Sequence, residues 1–192
     1  TTYVLTQKAK SELLDGYKVH TAKKRHRRSN NLTDHSKITE KQLYFNESDD
    51  SKIQQLVTML GNEKFTSIQE RLEEMGMRKG FACLFYGAPG TGKTESVLQI
   101  SRLTGRDLMQ IDIAGMRDKY VGESEKNIKH VFSRYRDLCK QCEVMPILFF
   151  NEADAIFGKR TAVGGVNSSV QKMDNAMQNI ILQEMEDFEG IL

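Results

Sequence analysis

Excess charge is nearly absent from this 192-residue chain: 28 Lys and Arg stand against 26 Asp and Glu, a formal net charge of +2. That surplus is too small to argue for nucleic acid as the partner of the whole chain. Cysteine is scarce, three residues without a framework of spacings, which excludes a disulfide-stapled scaffold and suits a reducing cytosol. Long hydrophobic runs are missing too. Apolar stretches such as Pro146 to Phe150 fall far short of the roughly 20 residues that a bilayer span needs, so no membrane partner is expected. The start, Thr1-Thr2-Tyr3, carries neither an initiator methionine nor a signal peptide, and the numbering is expected to begin inside a longer protein. What remains is a cytoplasmic domain, alone or with an extension.

What is present centres on Gly87-Ala88-Pro89-Gly90-Thr91-Gly92-Lys93-Thr94. The apolar run Phe81 to Tyr86 precedes it, and Glu95-Ser96-Val97-Leu98-Gln99-Ile100 follows with a helix-compatible composition. This is the strand, Gly-rich loop and helix order of a phosphate-binding loop. Gly87, Gly90 and Gly92 let the backbone turn tightly and aim its N–H groups inward. The helix beginning near Gly92 and running through Glu95 adds free N–H groups and the positive end of its dipole. Lys93 supplies a point charge for the β- and γ-phosphates, and the Thr94 hydroxyl suits Mg²⁺. The expected ligand is a nucleoside triphosphate.

In chain order, Val4, Leu5, Ala9, Leu13, Leu14 and Tyr17 recur at helical spacing. A polar stretch from His20 to Thr39 follows and includes the basic run Lys23 to Arg28, which reads as a hinge or solvated arm and leaves a nucleic-acid contact open. Residues 1–43 are therefore read as an N-terminal helix and basic linker, and 44–192 as the nucleotide-binding domain. Ile53, Leu56, Val57 and Leu60 predict one helix ending at Gly61. The capping box Thr66-Ser67-Ile68-Gln69 predicts another, with Ile68, Leu72 and Met75 as its stripe and Gly76 as its end. After the loop, a helix should end near Thr104-Gly105, and Arg106 to Ile113 reads as a strand. Gly122-Glu123-Ser124 opens an amphipathic helix with Ile128, Val131, Phe132, Tyr135, Leu138 and Cys142 inside and Glu125, Lys129, Arg136 and Lys140 outside. Ile147 to Phe150 suits a parallel strand covered on both sides. Gly158 to Asn167 reads as a mobile loop. Ser168-Ser169-Val170-Gln171 caps a helix lined by Val170, Met173, Met177, Ile181 and Met185, and Gly190 to Leu192 begins another strand. Alternating strands and helices predict an α/β three-layer P-loop core with a parallel sheet, preceded by the helical and linker extension.

Phosphoryl transfer also needs a positioned Mg²⁺ and a group that orients water. The strand Ile147 to Phe150 ends in Asn151-Glu152-Ala153-Asp154, and ligands gather at the carboxyl ends of parallel strands. Glu152 is the candidate for polarising the attacking water, with Lys93 as its catalytic companion. Thr94 and Asn151 are the candidates for Mg²⁺ and its water shell. Asn151 stands where an aspartate is expected; its amide oxygen accepts hydrogen bonds but brings no charge, which implies weaker Mg²⁺ retention and slower turnover.

Three segments together, Gly87 to Thr94, Tyr120 to Ile128 and Phe150 to Asp154, resemble the AAA+ ATPase family over about Tyr44 to Leu192. The resemblance implies ATP or ADP as nucleotide, Mg²⁺-dependent hydrolysis, a hexamer and a protein substrate to remodel or translocate. It also implies that Tyr120, Val121 and Gly122 line the pore of that hexamer and grip a polypeptide. In the family, a γ-phosphate sensor on the next strand, an arginine finger and a small helical lid follow the stretch matched here. The isolated stretch is therefore expected to bind nucleotide, turn over slowly and assemble poorly.

Other classes fit less well. A guanine-reading Asn-Lys-x-Asp stretch does not occur, a transporter's Ser-Gly-Gly signature is approached only at Gly164-Gly165, and a helicase would not carry the Tyr120 to Ile128 segment. Two alternatives stay open: a nucleotide-controlled binding or scaffold module with weak hydrolysis, and an ATPase acting on nucleic acid. Cys139-Lys140-Gln141-Cys142 is half of a zinc site with no second pair and reads as core. His20, His26, His35 and His130 are scattered without ligand spacing and read as surface residues.

Overall fold

The computed structural model describes residues 31–113, 115, 124–154 and 168–192, apart from the side chains of 124, 125 and 168–174. The expected N-terminal helix, the basic run Lys23 to Arg28 and the loop Gly158 to Asn167 lie outside these residues, as do Tyr120, Val121 and Gly122.

Among the described residues, three strands form one sheet in the order β1 (Leu32–Thr33), β2 (Leu108–Asp112) and β3 (Ile147–Asn151). β2 and β3 are parallel, from Leu108 opposite Ile147 to Asp112 opposite Asn151. The short β1 is antiparallel to β2, so the sheet is mixed where a parallel one was expected. The reason is local: Asn31 O accepts from Gln110 N at 2.9 Å, and the two-residue strand satisfies the outer edge of β2. Beyond β3 the pairing continues through single bridges, Ile147 to Ile191 and Ile191 to Phe81, both parallel. The expected strand before the phosphate loop is thus ladder-bonded only at its start, where Cys83 N donates to Leu192 O at 2.8 Å. Leu84 and Tyr86 stand 73% and 88% exposed.

Among the described residues, five α-helices accompany these strands: α1 (Glu47–Leu60), α2 (Asn62–Glu74), α3 (Lys93–Thr104), α4 (Ser124–Cys139) and α5 (Ser168–Glu186). Alternation along the strands sends side chains to two separate clusters. Leu108 and Ile147 join Leu60, Phe65, Val97 and Ile100 from α1 to α3. Met109, Ile111 and Leu148 join Ile128, Phe132 and Ile181 from α4 and α5. Each fully buried Leu or Ile contributes about 1.5–3 kcal/mol, so covering both faces fixes the register of β2 and β3.

Two helix boundaries depart from the sequence reading. α2 starts at Asn62, and the Thr66 hydroxyl bonds back to Asn62 O at 2.9 Å inside the helix instead of capping it. Starting early places Phe65 in the core, and it leaves Met75 68% exposed. α4 ends at Cys139, so Cys142 lies in the following turn, where its N–H donates to Leu138 O at 3.0 Å. Ile128, Val131, Phe132 and Tyr135 are buried on α4 as the spacing predicted, and Gly105 closes α3 with φ 68°.

Two polar devices set the position of the site. The phenol of Tyr135, buried to 1% exposure, donates to Pro146 O at 2.7 Å and accepts from Ile191 N at 3.0 Å. Burial pushes its pKa up, so it keeps the proton it donates. It ties α4 to the start of β3 and to the strand beside it. A strap formed by Thr39 to Lys41 crosses α3: Gln99 donates to Thr39 O at 2.9 Å, Arg102 meets Glu40 at 3.2 Å and Lys41 meets Glu95 at 2.7 Å. The Lys41 ammonium, bonded directly to it, holds the Glu95 carboxyl below the usual carboxylate range, with Gln99 adding a second bond.

Two outcomes are expected. A Cβ at Gly190 would overlap the rings of Tyr135 and Phe188. Gly190→Ala should therefore cost about 1–3 kcal/mol in denaturant unfolding, and an unchanged midpoint would show that the rings yield freely. Because Glu95 titrates lower in the folded state, the strap's contribution is full above the unfolded carboxylate value, about 4.3, and fades as pH falls below it. Lys41→Ala should cost about 0.2–1 kcal/mol at pH 7, with the difference in melting temperature closing in acid.

Candidate functional site

Gly92 begins α3 with φ 86° and no side-chain cap, and the first intrahelical bond is Ser96 N to Gly92 O at 2.8 Å. The N–H groups of Lys93, Thr94 and Glu95 therefore have no acceptor within the helix. Gly87 and Gly90, with φ 148° and 78°, hold the preceding loop in conformations that a side chain would strain. Thr91 Oγ1 donates to Ala88 O at 2.9 Å and closes the loop across Pro89 and Gly90. Lys93 Nζ donates to Gly87 O at 2.9 Å and Ala88 O at 2.7 Å. The result is a cationic, donor-rich loop. It suits a polyphosphate and repels a cation.

The polar end of β3 meets this loop. Thr94 Oγ1 donates to Asn151 Oδ1 at 3.2 Å, which joins two residues that the sequence assigned to one ion. Both are neutral oxygen donors, suited to a hard, hydrated cation whose charge is balanced by phosphates. Glu152 follows with φ 56°, the one positive φ outside glycine among the described residues, and its side chain is exposed. A left-handed glutamate costs of order 1–3 kcal/mol, and such strain collects at functional positions. Asp154 is also exposed. The Glu95 side chain turns toward Lys41 and Gln99, so its share in the loop is its backbone N–H.

Two residues escaped the sequence reading. Asp112 ends β2 directly opposite Asn151, and its carboxylate accepts from Gly115 N at 3.0 Å. A carboxylate thus stands on the strand next to the amide. The acidic end of an apolar strand was a signal that could have found it. Lys41 reaches Glu95 across 54 positions, and nothing local announces that pair.

Comparison with known proteins agrees with this geometry. Residues 83–191 match the ATPase family associated with various cellular activities (AAA). The chain is 34% identical over 121 residues to a vesicle-fusing ATPase of Caenorhabditis elegans, covering 57% of this chain and 15% of that protein. It is 36% identical over 137 residues to a proteasome-associated ATPase of Thermobifida fusca, covering 64% and 22%. A peroxisomal ATPase PEX6 of Eremothecium gossypii is 32% identical over 116 residues, covering 60% and 10%. The chain thus spans less than a quarter of the length of these relatives. With the family matched over more than half of its residues, on the same loop and strand ends that build the site, this chain belongs to the AAA family of ATPases.

Proposed function

We propose that this chain binds ATP or ADP with Mg²⁺ between Gly87 and Glu95, and that the protein it belongs to hydrolyses ATP to remodel or translocate a protein substrate as a hexamer. The observation that carries the reading is the Thr94 to Asn151 hydrogen bond. It brings the N-terminus of α3 to the carboxyl end of β3, where phosphate and water must meet. The free N–H groups of Lys93, Thr94 and Glu95 and the Lys93 ammonium bind the phosphates. Thr94 and Asn151 hold the ion's water shell. Mg²⁺, when bound, supplies charge neutralisation on the β- and γ-oxygens. Glu152 accepts a proton from the water that attacks the γ-phosphorus as the bond to the β-phosphate oxygen breaks. Tyr120, Val121 and Gly122, outside the described residues, are the candidates for gripping the polypeptide. The relatives, a vesicle-fusing and a proteasome-associated ATPase among them, support a protein substrate.

A second reading is favoured by Asn151 itself. With an amide in place of a carboxylate, the site works as a nucleotide-controlled binding module in which hydrolysis is slow. Asn151→Asp separates the two: if the parent hydrolyses readily and the variant gains little, the motor stands, whereas activity found only in the variant makes the site a switch.

Binding is tested first. Nucleotide at 100 times its dissociation constant should stabilise the fold by about 2.7 kcal/mol, read as a rise in melting temperature with Mg²⁺–ATP. Lys93→Ala should abolish that rise while leaving the nucleotide-free melting temperature nearly unchanged. A rise that persists in the variant would remove Lys93 from the site. In the full-length protein, Tyr120→Ala should lower substrate-stimulated hydrolysis, and unchanged stimulation would refute the pore assignment.

A further inference from the structure

At the amino end of β2, about 16 Å along the strand from Asp112, a second group of ligand-type side chains converges. Asp107 immediately precedes Leu108, and β1 leads directly into Asp34 and His35. One oxygen of Asp34, Nδ1 of His35 and one oxygen of Asp107 all lie within 4.8 Å of one another. His35 Nδ1 is 2.8 Å from Asp107 Oδ1 and 4.0 Å from Asp34 Oδ1. In sequence His35 has no ligand spacing to another histidine, and its partner Asp107 lies 72 positions away.

We propose that Asp34, His35 and Asp107 form a binding site for a borderline divalent transition ion such as Zn²⁺, separate from the phosphate loop. Three features carry it. The donor set, one imidazole nitrogen and two carboxylates, selects Zn²⁺-type ions over Mg²⁺, which prefers oxygen alone. Three protein ligands with open positions are a common complement for Zn²⁺, whose bonds to nitrogen and oxygen are about 2.0–2.2 Å. Ligands around such an ion stand about 3.3 Å apart, so the 2.8 Å edge from His35 to Asp107 and the 4.0 Å edge from His35 to Asp34 each lie within about 1 Å of that spacing. The ion occupies the place of the proton that Nδ1 shares with Asp107, with the imidazole as its Nε2–H tautomer.

The frame is built before any ion arrives. Leu32 and Thr33 pair with Met109 and Leu108, and His35 N donates to Asp107 Oδ1 at 3.1 Å. Asp34 Oδ1 accepts from Ser36 N at 3.0 Å and Ser36 Oγ at 2.7 Å, which holds the turn on the short helix His35–Lys37. The three side chains are 22–38% exposed, so an ion enters from solvent without unfolding the chain. The Cys142 thiol lies near enough to feel the Asp107 charge, which adds to burial in raising its pKa. A bound ion would lock the start of the Thr39 to Lys41 strap to β2.

The test is calorimetric titration of Zn²⁺ into the tag-free, chelator-treated chain, with melting temperature as a second readout. One ion per chain is expected. His35→Asn, which keeps an N–H donor toward Asp107 and removes the imidazole, should weaken binding at least about tenfold. Asp107→Asn should do the same, while Cys139→Ser and Cys142→Ser retain binding. Co²⁺ should give visible bands without thiolate charge transfer. Should Asp107→Asn fail to fold, His35→Asn alone decides. Absence of binding, binding unchanged in His35→Asn, or loss confined to the cysteine variants each overturns the proposal. The Mg²⁺–ATP melting shift should persist in His35→Asn, which keeps this result independent of the nucleotide site.

Discussion

A cation in the interior holds this domain together. Arg106, 0% exposed, sits one residue before Asp107 and two before β2. Its Nε donates to Leu60 O at 2.8 Å, its Nη1 donates to Met145 O at 2.7 Å, and the guanidinium lies 4.9 Å from the centre of the Phe65 ring. Its backbone carbonyl accepts from the buried Ser101 hydroxyl at 2.5 Å. The end of α1, the start of α2 and the approach to β3 therefore meet on one side chain, and the end of α3 on the backbone of the same residue. Burial lowers the pKa of the guanidinium, and the carbonyls and ring answer its charge with dipoles and a quadrupole. A planar fork with several donors can satisfy two carbonyls at once, which a lysine cannot do in the same plane.

From that junction the strands run toward the chemistry. Arg106 and Tyr135 both act near Met145 and Pro146, just ahead of β3, and both anchor what comes before its first residue. The far end of β3, Asn151, and the Glu152 that follows it are left to polar contacts and a strained backbone. The division is physical: apolar burial and buried hydrogen bonds fix the amino end and middle, while the carboxyl end is left polar and more open to solvent.

Much of this was legible in the sequence. The phosphate loop announces itself because its glycines, lysine and threonine are demanded by local backbone geometry, and local geometry is what spacing encodes. The apolar faces of α4 and α5 followed for the same reason, with Met177 and Ile181 buried where the spacing put them. What was hidden is the non-local pairing. β1 is two residues long and carries no periodicity, and the Lys41 clamp joins residues 54 apart. The start of α2 is hidden because Thr66 fits a capping box, while burial of Phe65 favours beginning the helix at Asn62. Asp112 was overlooked because its importance lies in its register against Asn151, a relation between strands.

The closed form of the phosphate loop turns binding into an exchange reaction. Lys93 already spends its ammonium on the carbonyls of Gly87 and Ala88, so an arriving anion must replace two charge-assisted bonds and cannot simply add new ones. A ligand with a single acceptor oxygen would return less than it displaces. A chain of phosphates, reaching the ammonium and the free N–H groups of the first helical turn together, returns more. Under the proposed function, selectivity for polyphosphate over smaller anions then comes from the loop's own internal bonds, before any base or sugar is read.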